Sequence, residues 1–454
     1  MAMPVNRVEI PETIPGEPAS SAPRGFAFAG QLLLLHLLAA AALVVGLTAW
    51  PFYLVPRCLW GRPPITPSWR QFGRYLGLIL TAAPPPPGLS WARRYAGLLN
   101  LLRTFSLAPL WGLCWYLDAA IFRRAWRQTE IIQPLFEISA ARSGSTQLAR
   151  YLEDDPHVVA PSVLQVQFPF EWLWRLSRCT LGRVMSAERV RKIMHGTMPP
   201  AFLQRHEMDP FRTDTIEMGL YGRHLIELST MLGPEMMLQD FSLRKLQPHQ
   251  RPLWEQDFVA FVDAIGKKTL HFAGPAASGQ PRRLMVKGHF LASAPALAAR
   301  FPDARFLALI RDPVPRLQSS INFLRVAPPL LGLGPTPWNW LVPFLLESEA
   351  EYSELEMAWY RDPAGPRKCV LFFQDYIRDL EGTMKKVYAE CFDSDVLPPH
   401  VPTEHGPRQR TNYLVDRSLA QLGVDVPKLN ARLAEYIEWC HGTATKPEVQ
   451  ETRA

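Results

Sequence analysis

The chain has 454 residues, and its 48% hydrophobic content, with 14 Trp and 23 Phe, is enough to bury one large domain with an appendage. The net charge of +7 comes entirely from residues 1–130, which contain 12 Arg, no Lys and 5 acidic residues, while the remaining chain balances 37 basic and 37 acidic residues. A nucleic-acid groove would carry its charge on the folded domain, so this distribution argues against nucleic acid and favours a membrane surface as partner. The six cysteines form no C-x-x-C pair and no zinc-ligand spacing occurs, so we predict no metal site.

The N-terminal third is predicted to be a tail followed by a membrane anchor. Residues 1–25 contain Pro and Glu without hydrophobic periodicity and are predicted to be disordered, and residues 26–130 are predicted to anchor the chain. Because about 20 apolar residues span a bilayer, the almost wholly apolar residues 26–55 predict a transmembrane helix. A second apolar run, residues 104–122, is shorter and is interrupted by a proline and an aspartate. It is compatible with a second span, a re-entrant segment or an interfacial helix.

The side of the membrane that carries the rest of the chain depends on how many runs cross it. Between the two runs lie seven arginines and no acidic residue: Arg57, Arg62, Arg70, Arg74, Arg93, Arg94 and Arg103. If both runs cross, the positive-inside rule places this segment in the cytosol and the C-terminal domain on the opposite side; if only the first crosses, the arginines hold that domain on the cytosolic face. The membrane is then the Golgi or another endomembrane in a eukaryote, or the inner membrane in a bacterium. The lack of any N-x-S/T sequon weighs against a lumenal domain but leaves both topologies open.

Residues 131–454 show the pattern of a single α/β domain. Short apolar runs of strand length alternate with longer segments of helical periodicity, and these runs lie at residues 135–139, 284–286, 305–310 and 370–373. This alternation predicts a parallel β-sheet with helices on its faces.

A first candidate anion site lies where the first predicted strand runs into a helix. The turn between them contains Arg142, Ser143, Gly144, Ser145 and Thr146. Backbone N–H groups at a helix start bind phosphate oxygens, and a glycine lets the backbone approach the anion closely. The hydroxyls add donors and the arginine adds charge. The turn lacks the second glycine and the lysine of a Walker A loop, which argues against an ATPase or kinase.

A second candidate site follows two later strands. One strand ends at Lys287 and His289, and the next ends at Arg311, which begins an Arg-Asp-Pro sequence. Residues at the carboxyl ends of parallel strands face the ligand crevice of such sheets. We therefore expect Arg311 to bind a second phosphate, with Ser319 on the following helix donating to the same group.

Together the two segments resemble the PAPS-dependent sulfotransferase family. The Phe-Pro-Asp-Ala-Arg sequence at residues 301–305 and the Phe-Phe-Gln-Asp-Tyr sequence at residues 372–376 also resemble its membrane-associated and bacterial branches. In that family a strand–turn–helix of the type Lys/Arg-Ser-Gly-Ser/Thr-Thr binds the 5′-phosphosulfate, and Arg-Asp/Asn-Pro with a later serine binds the 3′-phosphate. The resemblance covers roughly residues 131–430 and implies a P-loop-like α/β fold that uses 3′-phosphoadenosine-5′-phosphosulfate (PAPS) as sulfuryl donor, without a metal. The donor-binding residues it implies are Arg142, Ser143, Gly144, Ser145, Thr146, Arg311 and Ser319.

The resemblance also implies a mechanism in which a base takes the proton of an acceptor hydroxyl and the oxygen attacks sulfur. His289 follows Lys287 by two residues, as in the family's Lys-Thr-His pattern, so His289 is the expected general base and Lys287 the group that neutralises charge at the reacting centre. The Lys-Gly-His of this chain departs from that pattern and some branches use a glutamate, so Glu171 is the alternative base. Arg408 and Arg410 are further candidates for the 3′-phosphate.

The predicted function is sulfuryl transfer from PAPS to a hydroxyl of a carbohydrate, lipid or small molecule, with a carbohydrate or lipid favoured. The alternatives are a nucleotide-dependent, kinase-like enzyme of related fold and a catalytically inactive membrane scaffold. The missing Gly-Lys pair argues against the kinase, and the intact set of polar residues at both motifs argues against the scaffold.

Overall fold

The computed structural model describes residues 26–81, 91–180, 182, 185–196, 198, 200–206, 208–231, 233–242, 251–326, 338–405 and 417–441. The predicted disordered tail, residues 1–25, lies outside the described residues. Three N-terminal helices come first: α1 (Phe26–Trp60), α2 (Trp69–Thr81) and α3 (Trp91–Gln128). An α/β domain follows them.

A five-stranded parallel sheet forms the centre of the α/β domain. The strands are β1 (Leu135–Ile138), β2 (Val158–Val159), β3 (Arg283–Gly288), β4 (Arg305–Ile310) and β5 (Arg367–Phe372), in the order β2-β3-β1-β4-β5. β1 lies in the middle, with Phe136 paired to Val286 on one side and Phe306 on the other. All its residues are buried, as expected for a strand covered on both faces. The predicted α/β class with a parallel sheet is confirmed.

Helices cover the sheet and link its strands. In chain order they are α4 (Ser145–Glu153), α5 (Val163–Gln167), α6 (Glu171–Cys179), α7 (Ala187–Gly196), α8 (Pro200–Arg205), α9 (Met218–Tyr221), α10 (Pro234–Ser242), α11 (Arg251–Ala273), α12 (Ala294–Arg300), α13 (Pro313–Val326), α14 (Trp338–Arg361), α15 (Phe373–Arg378), α16 (Leu380–Phe392), α17 (Val426–Arg432) and α18 (Ala434–Cys440). Short 3-10 segments lie at Ile226–Met231, Leu291–Ser293 and Ala420–Leu422.

The alternation of side chains along β1 divides the core between the two faces of the sheet. Phe136 packs in the cluster that contains Phe258 and Phe261 of α11, whereas Leu135 packs in the cluster that contains Leu148 of α4. Successive strand residues point to opposite faces, so one four-residue strand anchors both clusters. The carboxyl end of β1 is thereby fixed from two sides at the point where the turn to α4 begins.

The helices α1 and α3 run parallel to each other, with α2 returning the chain between them. His36 near the start of α1 contacts Tyr95 near the start of α3, with ring centroids 5.2 Å apart. Trp60 at the end of α1 contacts Tyr116 towards the end of α3, with centroids 5.6 Å apart. Ile79 near the end of α2 lies in the same cluster as residues near the start of α1.

Both predicted apolar runs are helical, and by length and composition the segments Leu32–Trp60 and Arg94–Gln128 could each cross a membrane. Two consecutive spans joined by a segment on one side of a bilayer must, however, run antiparallel. The parallel packing of α1 and α3 therefore does not fit the two-span alternative, in which the arginine-rich segment alone faces the cytosol.

Ion pairs join the N-terminal helices and the loop after α1 to the α/β domain. Arg62 pairs with Asp257 at 2.6 Å, and Arg74 pairs with Asp240 at 2.7 Å. In addition, Asp118 of α3 pairs with a lysine of α11 at 2.8 Å, and neither of these two side chains is exposed to solvent. Packing and charge together make α1–α3 a layer on the domain rather than an appendage on a linker.

Candidate active site

The turn between β1 and α4 has the backbone geometry of an anion-binding loop. Arg142 and Gly144 adopt left-handed conformations, with φ of 66° and 98°, and α4 begins directly afterwards. A Cβ atom at residue 144 would lie 3.2 Å from the ring of Phe373, so only glycine fits without strain. The first backbone N–H groups of α4 have no acceptor within the helix and point towards its start. The side chains of Ser143 and Ser145 are buried, whereas those of Arg142 and Thr146 are half-buried.

The structure brings the two predicted phosphate motifs together although they are about 170 residues apart in sequence. Nε of Arg142 donates to Oγ of Ser319 at 2.9 Å, and a terminal nitrogen of Arg311 donates to the carbonyl oxygen of Arg142 at 2.8 Å. The guanidinium of Arg142 lies 5.0 Å above the ring of Phe323, and that of Arg311 lies 4.3 Å above the ring of Phe373. Aromatic faces thus fix both arginines beside one turn.

A fully buried arginine is connected to the same turn through a carboxylate of α14. Arg316 of α13 is hydrogen-bonded or ion-paired to Glu349 at 2.6 Å and Glu356 at 3.1 Å, and both carboxylates belong to α14. The other oxygen of Glu356 accepts a hydrogen bond from the backbone N–H of Ala140 at 3.2 Å. The helix that carries Ser319 is in this way tied to the first residues of the turn.

Lys287 lies in the sheet, at the carboxyl end of β3, and its side chain is only 1% exposed. Its ammonium group pairs with Asp214 at 3.2 Å, and the second oxygen of Asp214 contacts Nε2 of His206 at 2.9 Å. Burial acts to raise the pKa of Asp214, but the charge of Lys287 and the hydrogen bond from His206 outweigh it and hold that pKa well below its ordinary value. The carboxylate therefore stays ionised between the Lys287 ammonium group and the His206 ring.

His289 is half-buried and is held by two hydrogen bonds. Its backbone N–H donates to Glu217 at 2.7 Å, and its Nδ1 donates to the carbonyl oxygen of Ser139 at 2.8 Å. Because a carbonyl oxygen only accepts, Nδ1 carries the proton and Nε2 keeps its lone pair. Burial, followed by the charge of Lys287, lowers the pKa of His289 to about 4, so the ring is neutral at physiological pH.

Two buried carboxyl groups flank these residues. Glu137 of β1 lies opposite Lys287 in the register of the sheet and accepts a hydrogen bond from the hydroxyl of Ser139. Glu217 accepts a hydrogen bond from the backbone N–H of His289. Among the described residues, Oε2 of each carboxyl has no hydrogen-bond partner. Burial raises the pKa of each carboxyl group to about 7.

Glu171, the alternative base, lies in a different environment. Its carboxylate accepts from the indole N–H of Trp126 at 2.7 Å, pairs with Arg175 at 2.6 Å and contacts Nδ1 of His271 at 2.7 Å. Both oxygens are thereby engaged in contacts between α3, α6 and α11. Arg408 and Arg410 lie outside the described residues.

Four polar residues around Lys287 and His289 were not predicted from the sequence: His206, Asp214, Glu137 and Glu217. Glu137 carries a signal, because it is a charged residue inside an otherwise apolar central strand. The other three lie between α8 and α9, in a segment without strand or motif pattern, and only the fold brings them to β3.

A model of the sulfotransferase family matches residues 134–392 of this chain, more than half of its length. The structure is similar to the sulfotransferase STF9 from Mycobacterium avium, with a TM-score of 0.54, 18% identity, and coverage of 83% of this chain and 97% of that chain. It is also similar to the sulfotransferase STF1 from Mycobacterium tuberculosis H37Rv, with a TM-score of 0.50, 17% identity, and coverage of 84% and 97%. A search of the curated proteins finds no match.

The chain therefore belongs to the sulfotransferase family and has a sulfotransferase fold. The family assignment agrees with the absence of a Walker A lysine and disfavours the kinase-like alternative.

Proposed function

We propose that this sulfotransferase moves a sulfuryl group from PAPS to a hydroxyl of a carbohydrate, lipid or small-molecule acceptor. The observation that carries the proposal is the junction of the two phosphate motifs, in which Arg142 bonds Ser319 and Arg311 bonds the backbone of Arg142. A donor with phosphates at both its 5′ and 3′ positions needs two cationic sites at a short distance from each other, and this junction provides them.

The residues of the junction fit such a donor. The turn places the backbone N–H groups at the start of α4 beside Arg142, and such groups bind phosphate oxygens. We assign the 5′-phosphosulfate to Arg142 and the backbone of residues 143–146, that is Ser143, Gly144, Ser145 and Thr146. The 3′-phosphate is assigned to Arg311 and Ser319. PAPS bound there supplies an activated sulfuryl group.

Lys287 and His289 are the proposed catalytic residues. Nε2 of His289 has a free lone pair in the tautomer that the Ser139 carbonyl selects, so it can accept the proton of an acceptor hydroxyl. Lys287 can place its positive charge near the bond that breaks between the sulfuryl group and the leaving phosphate. In the structure its ammonium group is ion-paired with Asp214 at 3.2 Å. The dyad of His206 and Asp214 is a rival base, because a carboxylate orients that imidazole.

We also propose that the enzyme works at a membrane. The apolar helix α1 and the excess of arginine in residues 1–130 support this location. A lipid or a membrane-bound glycan is therefore the favoured acceptor.

Sulfate labelling of cells tests the proposal whichever acceptor the enzyme uses. Cells that express the wild-type chain or the Arg311→Ala variant are fed radioactive sulfate, and lipid and glycan fractions are compared. We expect a sulfated product that depends on the wild-type chain and is missing with the variant. Identical product profiles at equal expression would contradict the proposed function.

A further inference from the structure

Between residues 32 and 60 the outward surface of α1 is predominantly apolar. One side of α1 packs inward through positions spaced three or four residues apart: Leu35, Ala39, Ala42, Gly46, Ala49 and Tyr53. The opposite side, which we call the outer face, includes Leu47 and Val55, each 63% exposed, and Leu59, 71% exposed. Between residues 32 and 60 none of the exposed positions is charged. A continuous apolar face of this size marks a site that another apolar phase covers.

The packing of α1 on α3 argues against an orientation in which α1 crosses the bilayer. α3 lies between α1 and the α/β domain and is fixed to that domain at several points. Leu99 shares a cluster with Leu228, and Trp111 stacks on Phe170 with centroids 5.9 Å apart. Since α1 lies beside α3 over most of its length, an α1 that crossed the bilayer would bring the adjoining domain surface to the depth of the acyl chains. Phe72 of α2 contacts Phe105 of α3, which lies beside the middle of α1 near Gly46, so the nearby ion pair of Arg74 with Asp240 would lie at that depth too, at a high cost.

We propose that α1 lies in the plane of the membrane, with its outer face inserted into the acyl chains of one leaflet, so that the enzyme is attached to one side and does not span. The helix is about 52 Å long and contributes one face to the lipid while its other face stays on α3. This orientation keeps every ion pair between α1–α3 and the domain in the aqueous or protein phase. The inference is independent of the proposed chemistry.

Charge and shape at the end of α1 favour lipid as the occupant. Residues 26–117 contain no acidic residue, and Arg123, Arg124 and Arg127 at the end of α3 are exposed. Anionic headgroups attract such arginines near the membrane surface. A groove of about 320 Å³ between α1 and α3, lined by apolar residues such as Leu59 and Leu117, opens at the same end. Its lining suits a lipid acyl chain.

A depth profile along α1 distinguishes the in-plane from the crossing orientation. Cys58, Cys114 and Cys179, the cysteines outside the core, are replaced by serine, and single cysteines are placed at Leu37, Leu47 or Leu59 and labelled with a nitroxide in vesicles. The first and last sites are about 33 Å apart along the helix, which is close to the hydrocarbon thickness.

The in-plane orientation predicts that all three labels lie at a similar shallow depth and are accessible to oxygen. A label at Leu47 that lies at the bilayer centre, with the other two near opposite headgroups, would overturn the proposal. Labels that stay accessible to water in the presence of vesicles would overturn it as well, and would indicate that another protein surface or a second copy covers the outer face.

A vesicle-binding experiment tests the occupant with matched variants. The double variant Leu43→Glu with Leu47→Glu places charge on the exposed surface of α1, where these side chains are 49% and 63% exposed. The control Val396→Glu places charge at an apolar position of the α/β domain that is 72% exposed. Flotation with phosphatidylcholine vesicles, with and without phosphatidylglycerol, measures binding, and the melting temperature checks folding. We expect the double variant to bind at least about tenfold more weakly, or 1.4 kcal/mol, and the control to bind normally. Equal binding of the double variant and the wild-type chain would refute the inference.

Discussion

The ion pair between Asp118 and Lys268 fixes α3 to the α/β domain, and its removal should destabilise the whole protein. Both side chains are inaccessible to solvent and 2.8 Å apart. The two carboxylate oxygens of Asp118 also accept the backbone N–H groups of Glu171 and Trp172, each at 2.8 Å, so Asp118 caps the start of α6. Lys268 in turn donates to the carbonyl oxygen of Pro169 at 2.7 Å.

The size of the effect follows from what Asp118→Ala leaves behind. Lys268 keeps a carbonyl partner and the ring of Trp115 at 3.6 Å but loses its counter-charge. Burial already lowers the pKa of Lys268 to about 8 although Asp118 opposes that shift. Breaking one partner of a buried pair costs roughly 3–5 kcal/mol, and losing a helix cap costs about 1 kcal/mol. We therefore expect a loss of about 4–6 kcal/mol in the free energy of unfolding.

Denaturant unfolding in detergent micelles, followed by tryptophan fluorescence, measures this loss. Glu435→Ala is the matched control, because it removes an exposed ion pair with Arg361 and should cost less than about 1 kcal/mol. The pair of substitutions Asp118→Asn with Lys268→Met removes both charges and should recover much of the stability. A loss below about 1 kcal/mol for Asp118→Ala would refute the burial of this pair and the attachment of α3 to the domain.

Further substitutions test the residues around the site. His289→Ala should lower turnover by roughly 100- to 10,000-fold with donor binding nearly intact. Lys287→Ala should also lower turnover. If His289→Ala stays nearly active while His206→Ala is inactive, the base is His206. Glu217→Gln should stabilise the protein more at pH 8 than at pH 5: the raised pKa of Glu217, about 7, means that the folded state holds an extra proton above pH 4.5 and loses stability as the pH rises towards 7. The stability gained by Glu217→Gln, measured by thermal unfolding, should be up to about 3 kcal/mol larger at pH 8 than at pH 5. A variant whose stability depends on pH as that of the wild-type chain does would contradict the raised pKa of Glu217. Gly144→Ala should weaken donor binding at least about tenfold, because a Cβ at φ 98° meets Phe373; unchanged affinity in a titration would argue against the anion-binding role of the turn.

Local signals in the sequence were sufficient to predict the strands that carry the site. β4 has the predicted bounds, and β3 extends the predicted run by one residue before it and two after it. β5 begins three residues earlier than predicted, at Arg367, because an edge strand tolerates charged residues that disrupt an apolar pattern. β2 has two residues and exists only through its pairing with β3, so no local pattern could indicate it.

Contacts between residues far apart in the chain could not be predicted from the sequence. Asp118 interrupts an apolar run, which made α3 a doubtful span, but its partner is a lysine 150 residues later in the chain. The same holds for Lys287, whose partner Asp214 lies in a segment without a motif. The parallel course of α1 and α3 likewise depends on packing that hydropathy does not encode. Periodicity predicts which residues are buried, whereas the identity of their neighbours is determined only in three dimensions.

The most direct test of the central claim is a calorimetric comparison of three nucleotides on the full-length chain. 3′-Phosphoadenosine-5′-phosphate is the product of the proposed donor, AMP is the same molecule without its 3′-phosphate, and ATP represents the kinase-like alternative. We predict that the bisphosphate binds at least about tenfold more tightly than AMP or ATP and that Arg311→Ala removes this preference. Tighter binding of ATP than of the bisphosphate, or an Arg311→Ala variant that retains the preference, would contradict the assignment.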